Sequence, residues 1–256
     1  MKKITFLPLA LALCSNMPVR AQADRDACKD LPSWGQLRSA LMAARNQSNG
    51  GFNLDMWGTV VNRDGVVCVV AFTGSDRGSQ WPGSRVISAQ KANTANAFSL
   101  PGLSLSTAQL YSAVQPGGSL FGLQESNPVS TDVAYAGNPQ NYGQANDPMV
   151  GGHIGGVNVF GGGLALYNAQ HKLVGALGVS GDSSCADHNI SWRTRRMLNL
   201  DFVPGGVGTD STRPDNIIYD ITPAAGLMMG TSASGWGHPV CSDAAKAIAA
   251  TLPPIQ

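Results

Sequence analysis

Met56-Trp57-Gly58-Thr59-Val60-Val61 and Val66-Val67-Cys68-Val69-Val70-Ala71-Phe72 are two β-prone runs separated only by Asn62-Arg63-Asp64-Gly65. A connection this short makes a hairpin, with Gly65 free to take the left-handed conformation such turns need. Parallel strands would require a crossover of a dozen or more residues. The pair therefore argues for an antiparallel sheet and against a doubly wound nucleotide-binding fold. The second run is apolar on both faces, which predicts a central strand.

Outward from the hairpin, elements alternate. On the N-terminal side, Ser33-Trp34-Gly35-Gln36 reads as a capping box. Trp34, Leu37, Leu41 and Ala44 then recur at helical spacing until Asn49-Gly50-Gly51. On the C-terminal side a polar loop (73–83) precedes an Ala-rich helix from Ser84, the expected cap, to Phe98. A short helix is predicted from Ser106 to Val114. Residues 119–150, rich in Asn, Pro, Gly and Gln, read as a long loop inserted in the domain, its order favoured by Phe121, Tyr135 and Tyr142. Then come a second hairpin around Asn168–His171, with strands at Leu164–Tyr167 and Lys172–Val179, and a helix capped by Ser183 or Ser184 and running to Leu198. Arg193, Arg195 and Arg196 suit the negative end of that helix. A last strand is expected at Asn216–Ile221 and a last helix at Ala244–Thr251. The order predicts an α+β domain: a mostly antiparallel sheet flanked by helices.

The first 23 residues read as a secretory signal peptide: Met1-Lys2-Lys3, an apolar run from Ile4 to Cys14, and Ala21-Gln22-Ala23 before the cut. A lipoprotein site at Cys14 competes, but bulky Leu13 argues against it. The expected location is periplasmic or secreted, with residues 24–256 forming one domain. No later stretch is apolar enough for a membrane helix. Losing Lys2, Lys3 and Arg20 from 17 basic residues leaves 14 against 16 acidic, a net charge of −2. That is no footprint for nucleic acid. Four cysteines remain in an exported chain, favouring disulfides. Cys185–Cys241 is the expected bridge, with Cys68 a buried thiol in its apolar run.

The P-loop, HExxH, CxxCH and CxxC patterns are absent. Gly178-Val179-Ser180-Gly181-Asp182 fails as a nucleophile elbow because Asp182 holds the second glycine position. Glu125 is the only glutamate, which leaves a paired-carboxylate glycosidase to its aspartates. Among the histidines, His171 reads as surface and His238 as structural. His188, on the first turn of a helix, is held neutral by the helix dipole and so is a competent metal or haem-iron ligand. His153 lies between glycines (Gly151-Gly152-His153-Ile154-Gly155-Gly156) that let a flat ligand approach the backbone. Both also have an ordinary structural reading. Lys91 is either an exposed helix lysine or, beside a pocket, a partner for a carboxylate.

Three stretches together resemble the GlcG/HbpS-like haem-binding family: Val60–Val67, Ser88–Phe98 and Leu173–Gly181. The resemblance covers roughly residues 33–200, with 119–150 an insertion and the chain after about 200 an extension. It implies a GlcG/HbpS-like (profilin-like) sandwich that assembles into homo-oligomers, haem binding in some members, and iron handling or haem degradation in a few. The family's Pro-Thr after the helix is here Pro101-Gly102, and its Asp-Glu after the last strand is here Asp187-His188. His188 or His153 is then the expected haem-iron ligand, and Lys91 the expected partner of a haem propionate. The expected function is haem (tetrapyrrole) binding for uptake, storage or sensing. The alternative is an enzyme acting on a small organic molecule in the same pocket, using Lys91, Asp187 and His188.

Overall fold

The hairpin forms as read. In a computed structural model describing residues 27–223 and 230–256, β1 (Trp57–Asn62) and β2 (Val67–Phe72) pair antiparallel, with Gly65 at φ 78° in the turn. β3 (Gly163–Tyr167) and β4 (Leu173–Ser180) form the second hairpin. β1 pairs antiparallel with β4, giving one four-stranded sheet of order β2-β1-β4-β3. The signal-peptide reading falls outside the described residues. Among them, no helix is long and apolar enough to cross a membrane.

Helices cover both faces. α1 (Trp34–Arg45) starts at the capping box between Ser33 and Gln36. It shares one face with α3 (Ser184–Met197): Leu37, Leu41, Val60, Leu177, Val179 and Ile190 pack together there. α2 (Ser84–Phe98) lies on the other face, with Ala89, Ala92 and Ala95 against Val61, Val70 and Ala176. Successive strand residues Val60 and Val61 fall into opposite clusters, as period-two geometry demands. Gly178 explains the glycines of β4. A Cβ there would sit 1.9 Å from the Ser88 carbonyl, so only glycine lets α2 seat on the sheet.

Several expectations need correcting. β2 is an edge strand, not a central one. It is apolar on both faces because helices cover both, and its free edge is capped by backbone that follows the insertion. Val67 N–H donates to Gly152 O and Gly151 N–H to Val67 O, each at 2.9 Å. Ser84 opens α2 without capping it. The Ser106–Val114 helix is reduced to turns and a 3-10 turn at Ser112–Val114. There the Thr107 side chain bonds Gly163 N–H and the Phe160 carbonyl, holding this segment to the start of β3. No strand forms over 216–220, where Ile217 N–H turns to the His188 ring. Only Ile221–Thr222 (β5) pairs, with Thr231–Ser232 (β6). Cys68 is not a free thiol. It bridges Cys28, and Cys185 bridges Cys241 as expected.

The insertion is anchored from within. Asp147, 2 % exposed, accepts from Arg85 Nε at 2.9 Å, from a second Arg85 nitrogen, and from the Gly143 and Met149 N–H groups at 2.7 and 2.9 Å. The Arg85 guanidinium also lies 3.6 Å over the Tyr142 ring. After β4 and α3, helix α4 (Asp243–Ala250) packs Ala245 and Ala249 against Cys185 and Trp192.

Candidate functional site

The polar groups of the molecule concentrate around α3, for a local reason. Ser183 caps the helix by accepting from Ala186 N–H. This puts Asp187 in the first turn beneath the end of β4, where α2 brings Lys91 across the sheet. Lys91 Nζ lies 2.8 Å from Asp187 Oδ2 and 3.1 Å from the Val179 carbonyl, while Asp187 Oδ1 accepts from Asp182 N–H at 2.9 Å. Both side chains are buried. Burial pushes the Asp187 carboxyl up to about 6, opposed by the Lys91 ammonium. The Gly161-Gly162-Gly163 turn seals the pair: a Cβ on Gly162 would lie 3.1 Å from Lys91 Nζ. Lys91 is thus neither an exposed lysine nor a lysine beside an open pocket. It is a closed ion-pair partner that a ligand carboxylate would have to displace.

His188 follows Asp187 and is also wholly buried. Its Nε2 lies 3.1 Å from both Asn216 Oδ1 and Ile217 N, and its Nδ1 is buried without a hydrogen-bond partner among the described residues. Burial drives its pKa down to about 3, so the ring is neutral as expected. Gly161 closes over it, with the His188 Cβ 3.0 Å from where a Cβ on Gly161 would sit. No face of this imidazole is open to a macrocycle. His153 is the opposite case. It is exposed, on the turn that caps the edge of β2 opposite Val66. Gly151 (φ 88°) and Gly155 (φ 62°) flank it in the left-handed region, with open space beside Gly151. His153 and the Lys91–Asp187–His188 group are therefore not brought together. His171 is exposed in its turn, as read.

One further pair escaped the sequence. Arg195 does not serve only the helix end. It is fully buried, bonded to Asp215 through both terminal nitrogens (2.5 and 2.8 Å), and Ser104 Oγ donates to the same carboxylate at 2.6 Å. Helical spacing held the signal, because Arg195 shares the face of His188 and Trp192; nothing marked Asp215. His238, read as structural, is buried beside the Cys185–Cys241 bridge, with burial lowering its pKa to about 4. Its ring lies 5.2 Å from that of Tyr111. Tyr111 also borders a groove of about 670 Å³ lined by Ser112, Gly117, Thr231, Ser234 and Trp236. That volume suits a small molecule, for which sites span roughly 300–1,000 Å³.

Residues 34–194 match the family model described as "Haem degrading protein HbpS-like". The chain belongs to the HbpS-like family. The HbpS-like region holds α1, α2, the whole four-stranded sheet and most of α3, with Lys91, His153, Asp187 and His188 inside it. No curated protein matches the chain. Several solved structures are similar to it. One is a PduOC–haem complex, at 23% identity over 65% of this chain and 91% of that chain, with a TM-score of 0.45. Another is the Klebsiella pneumoniae protein ORFY, at 23% identity over 64% of this chain and 86% of that chain, with a TM-score of 0.42.

Of the two histidines, His153 fits haem. An exposed imidazole among glycines can be met by a flat ring without moving the core. His188 fits only if the 161–163 turn and residues 216–217 withdraw.

Proposed function

We propose that this protein is an exported haem (tetrapyrrole)-binding protein serving haem or iron uptake, storage or sensing. The observation that carries the reading is the family match over residues 34–194. Export, to the periplasm or outside the cell, is supported by the leader-like start of the chain and by two disulfides, which persist in oxidising compartments.

His153 is the residue that would hold the haem, through an imidazole nitrogen offered to its iron. A ligand held at an exposed site of this kind would be accessible to a second copy of the chain, which is the reason to propose a homo-oligomer. His188 is the reserve ligand, and Lys91 the reserve propionate partner once it releases Asp187.

The test is a haem titration of residues 24–256, followed in the visible spectrum. A saturable Soret shift at one haem per chain or per dimer is expected. His153→Ala should abolish it and His188→Ala should leave it. A free-haem spectrum at every ratio overturns the reading.

A second reading, an enzyme acting on a small organic molecule, is favoured by one observation: an aspartate tuned to about 6 beside a lysine. A screen of small substrates is the next step if haem does not bind.

A further inference from the structure

Among the described residues, one group has the composition of a soft-metal site: Cys185, Cys241 and His238, whose ligand atoms all lie within 4.8 Å of one another. Cys185 Sγ is 4.0 Å from His238 Nδ1. With Zn–S near 2.3 Å and Zn–N near 2.0 Å, neighbouring ligands of a tetrahedral zinc stand about 3.5–3.8 Å apart. The nitrogen is therefore already close to place. What closes the site is the bond between the two sulfurs.

We propose that Cys185, Cys241 and His238 form a thiolate–imidazole site for a zinc-like cation, opened when the Cys185–Cys241 bond is reduced. A dithiol reductant supplies two electrons and two protons, leaving two thiols and the oxidised reductant. The cation then replaces both thiol protons, and two protons are released. Thiolates with an imidazole are a donor set that zinc favours.

The surroundings suit this. Two backbone N–H groups meet the sulfurs: Cys185 N–H, in the first turn of α3, donates to Cys241 Sγ, and Cys241 N–H, in the coil before α4, to Cys185 Sγ, each at 3.2 Å. Ser184 Oγ lies 3.4 Å from Cys241 Sγ. Donors at a helix N-terminus favour the thiolate over the thiol. Cys185 is fixed in the helix and fully buried, whereas Cys241 is exposed in the coil before α4. Cys241 can therefore move away from its partner, and its side of the site is open for a reductant and for a fourth ligand from solvent. His238 must change its hydrogen bonds. Nδ1 now donates to the Pro239 carbonyl at 2.7 Å, and Nε2 receives a long contact from Gly161 N–H at 3.4 Å. Binding at Nδ1 moves the ring proton to Nε2 and gives up both. Cys28–Cys68 belongs to no such group among the described residues and serves as an internal control.

The experiment uses haem-free protein spanning residues 24–256, oxidised or reduced without air, titrated with Zn²⁺ and with Co²⁺ as a spectroscopic probe. The reduced protein should bind one Zn²⁺ per chain and show thiolate-to-cobalt charge-transfer absorption, and the oxidised protein neither. His238→Ala should weaken Zn²⁺ at least tenfold, Cys241→Ser should abolish the charge-transfer band, and Cys68→Ser should change nothing. In the unsubstituted reduced chain, Zn²⁺ should protect Cys185 and Cys241 from alkylation and leave Cys28 and Cys68 reactive. Equal Zn²⁺ binding by the oxidised protein, or protection that ignores Cys185 and Cys241, overturns the proposal.

Discussion

Helix α3 carries one buried ion pair near each end, and the two differ in kind. At the N-terminal end, Asp187 meets the single point charge of Lys91 and one backbone N–H. At the C-terminal end, Asp215 receives two guanidinium N–H groups and the Ser104 hydroxyl. Both carboxylates are sealed from water. Burial raises Asp187 to about 6 despite its partner. For Asp215, burial pushes upward too, but the Arg195 fork and Ser104 outweigh it and hold the carboxyl below the usual range. Equal burial thus yields a fixed charge in one place and a titratable group in the other. The number of donors aimed at the carboxylate makes the difference.

The largest effect is expected at Arg195. Arg195→Met leaves Asp215 ionised and unpaired between α3 and the 214–217 segment. A loss of about 3–5 kcal/mol is expected, the usual result of removing one partner of a buried pair. Urea denaturation checks it. A loss under 1 kcal/mol would mean that Ser104 and solvent suffice, and that the fork fixes nothing.

The sequence showed one of these pairs in outline and hid the other. Lys91, Asp187 and His188 stood out because they interrupt an Ala-rich helix and open a capped one. That Lys91 and Asp187 touch depends on the order of the sheet strands, since they are 96 residues apart. Asp215 lies in a Pro- and Asn-bearing turn segment where an aspartate is unremarkable. Arg195 was legible only as a helix-end charge. The fold was easier to read. The hairpins, α1, α2 and α3 follow from turn chemistry, caps and periodicity, all local. What failed was set by contacts distant in sequence. β2 was misjudged as central because its covering strand-like backbone comes from residues 151–153. The 106–114 and 216–221 segments departed from expectation because groups distant in sequence claim backbone N–H groups that a helix or ladder would use: Thr107 N–H donates to the Gly163 carbonyl and Ile217 N–H to the His188 ring. Cys68 was misjudged because its partner lies 40 residues away, near the start of the chain.

A pH series probes the titratable pair. In the unfolded chain Asp187 returns to its ordinary value of 3.8. Its pKa is raised on folding, so its favourable contribution is complete below the unfolded value and is lost as pH rises through about 6. Asp187→Asn removes this dependence. The stability of the unsubstituted protein relative to Asp187→Asn should fall by about 2 kcal/mol between about pH 4.5 and 7.5. His188 and His238 have lowered values and act in the opposite sense, losing stability as pH falls. They are present in both proteins, so the difference isolates Asp187. A flat difference would mean that Asp187 is as firmly ionised as Asp215.

The smallest effect is expected from Lys91→Met at low pH, and it separates the pairs most cleanly. Near about pH 5 Asp187 is already largely protonated, so removing the ammonium costs chiefly hydrogen bonds, about 1 kcal/mol. As pH rises, the carboxyl must either ionise without a partner or hold its proton at increasing expense, so the loss should grow. Arg195→Met should show no such growth over the same range, because Asp215 stays ionised throughout. Urea melts of the two variants at both ends of the range test this. Parallel losses would show that Lys91 and Arg195 do the same job. Divergent losses would identify the Lys91–Asp187 pair as a place where a proton, rather than a fixed charge, completes the packing.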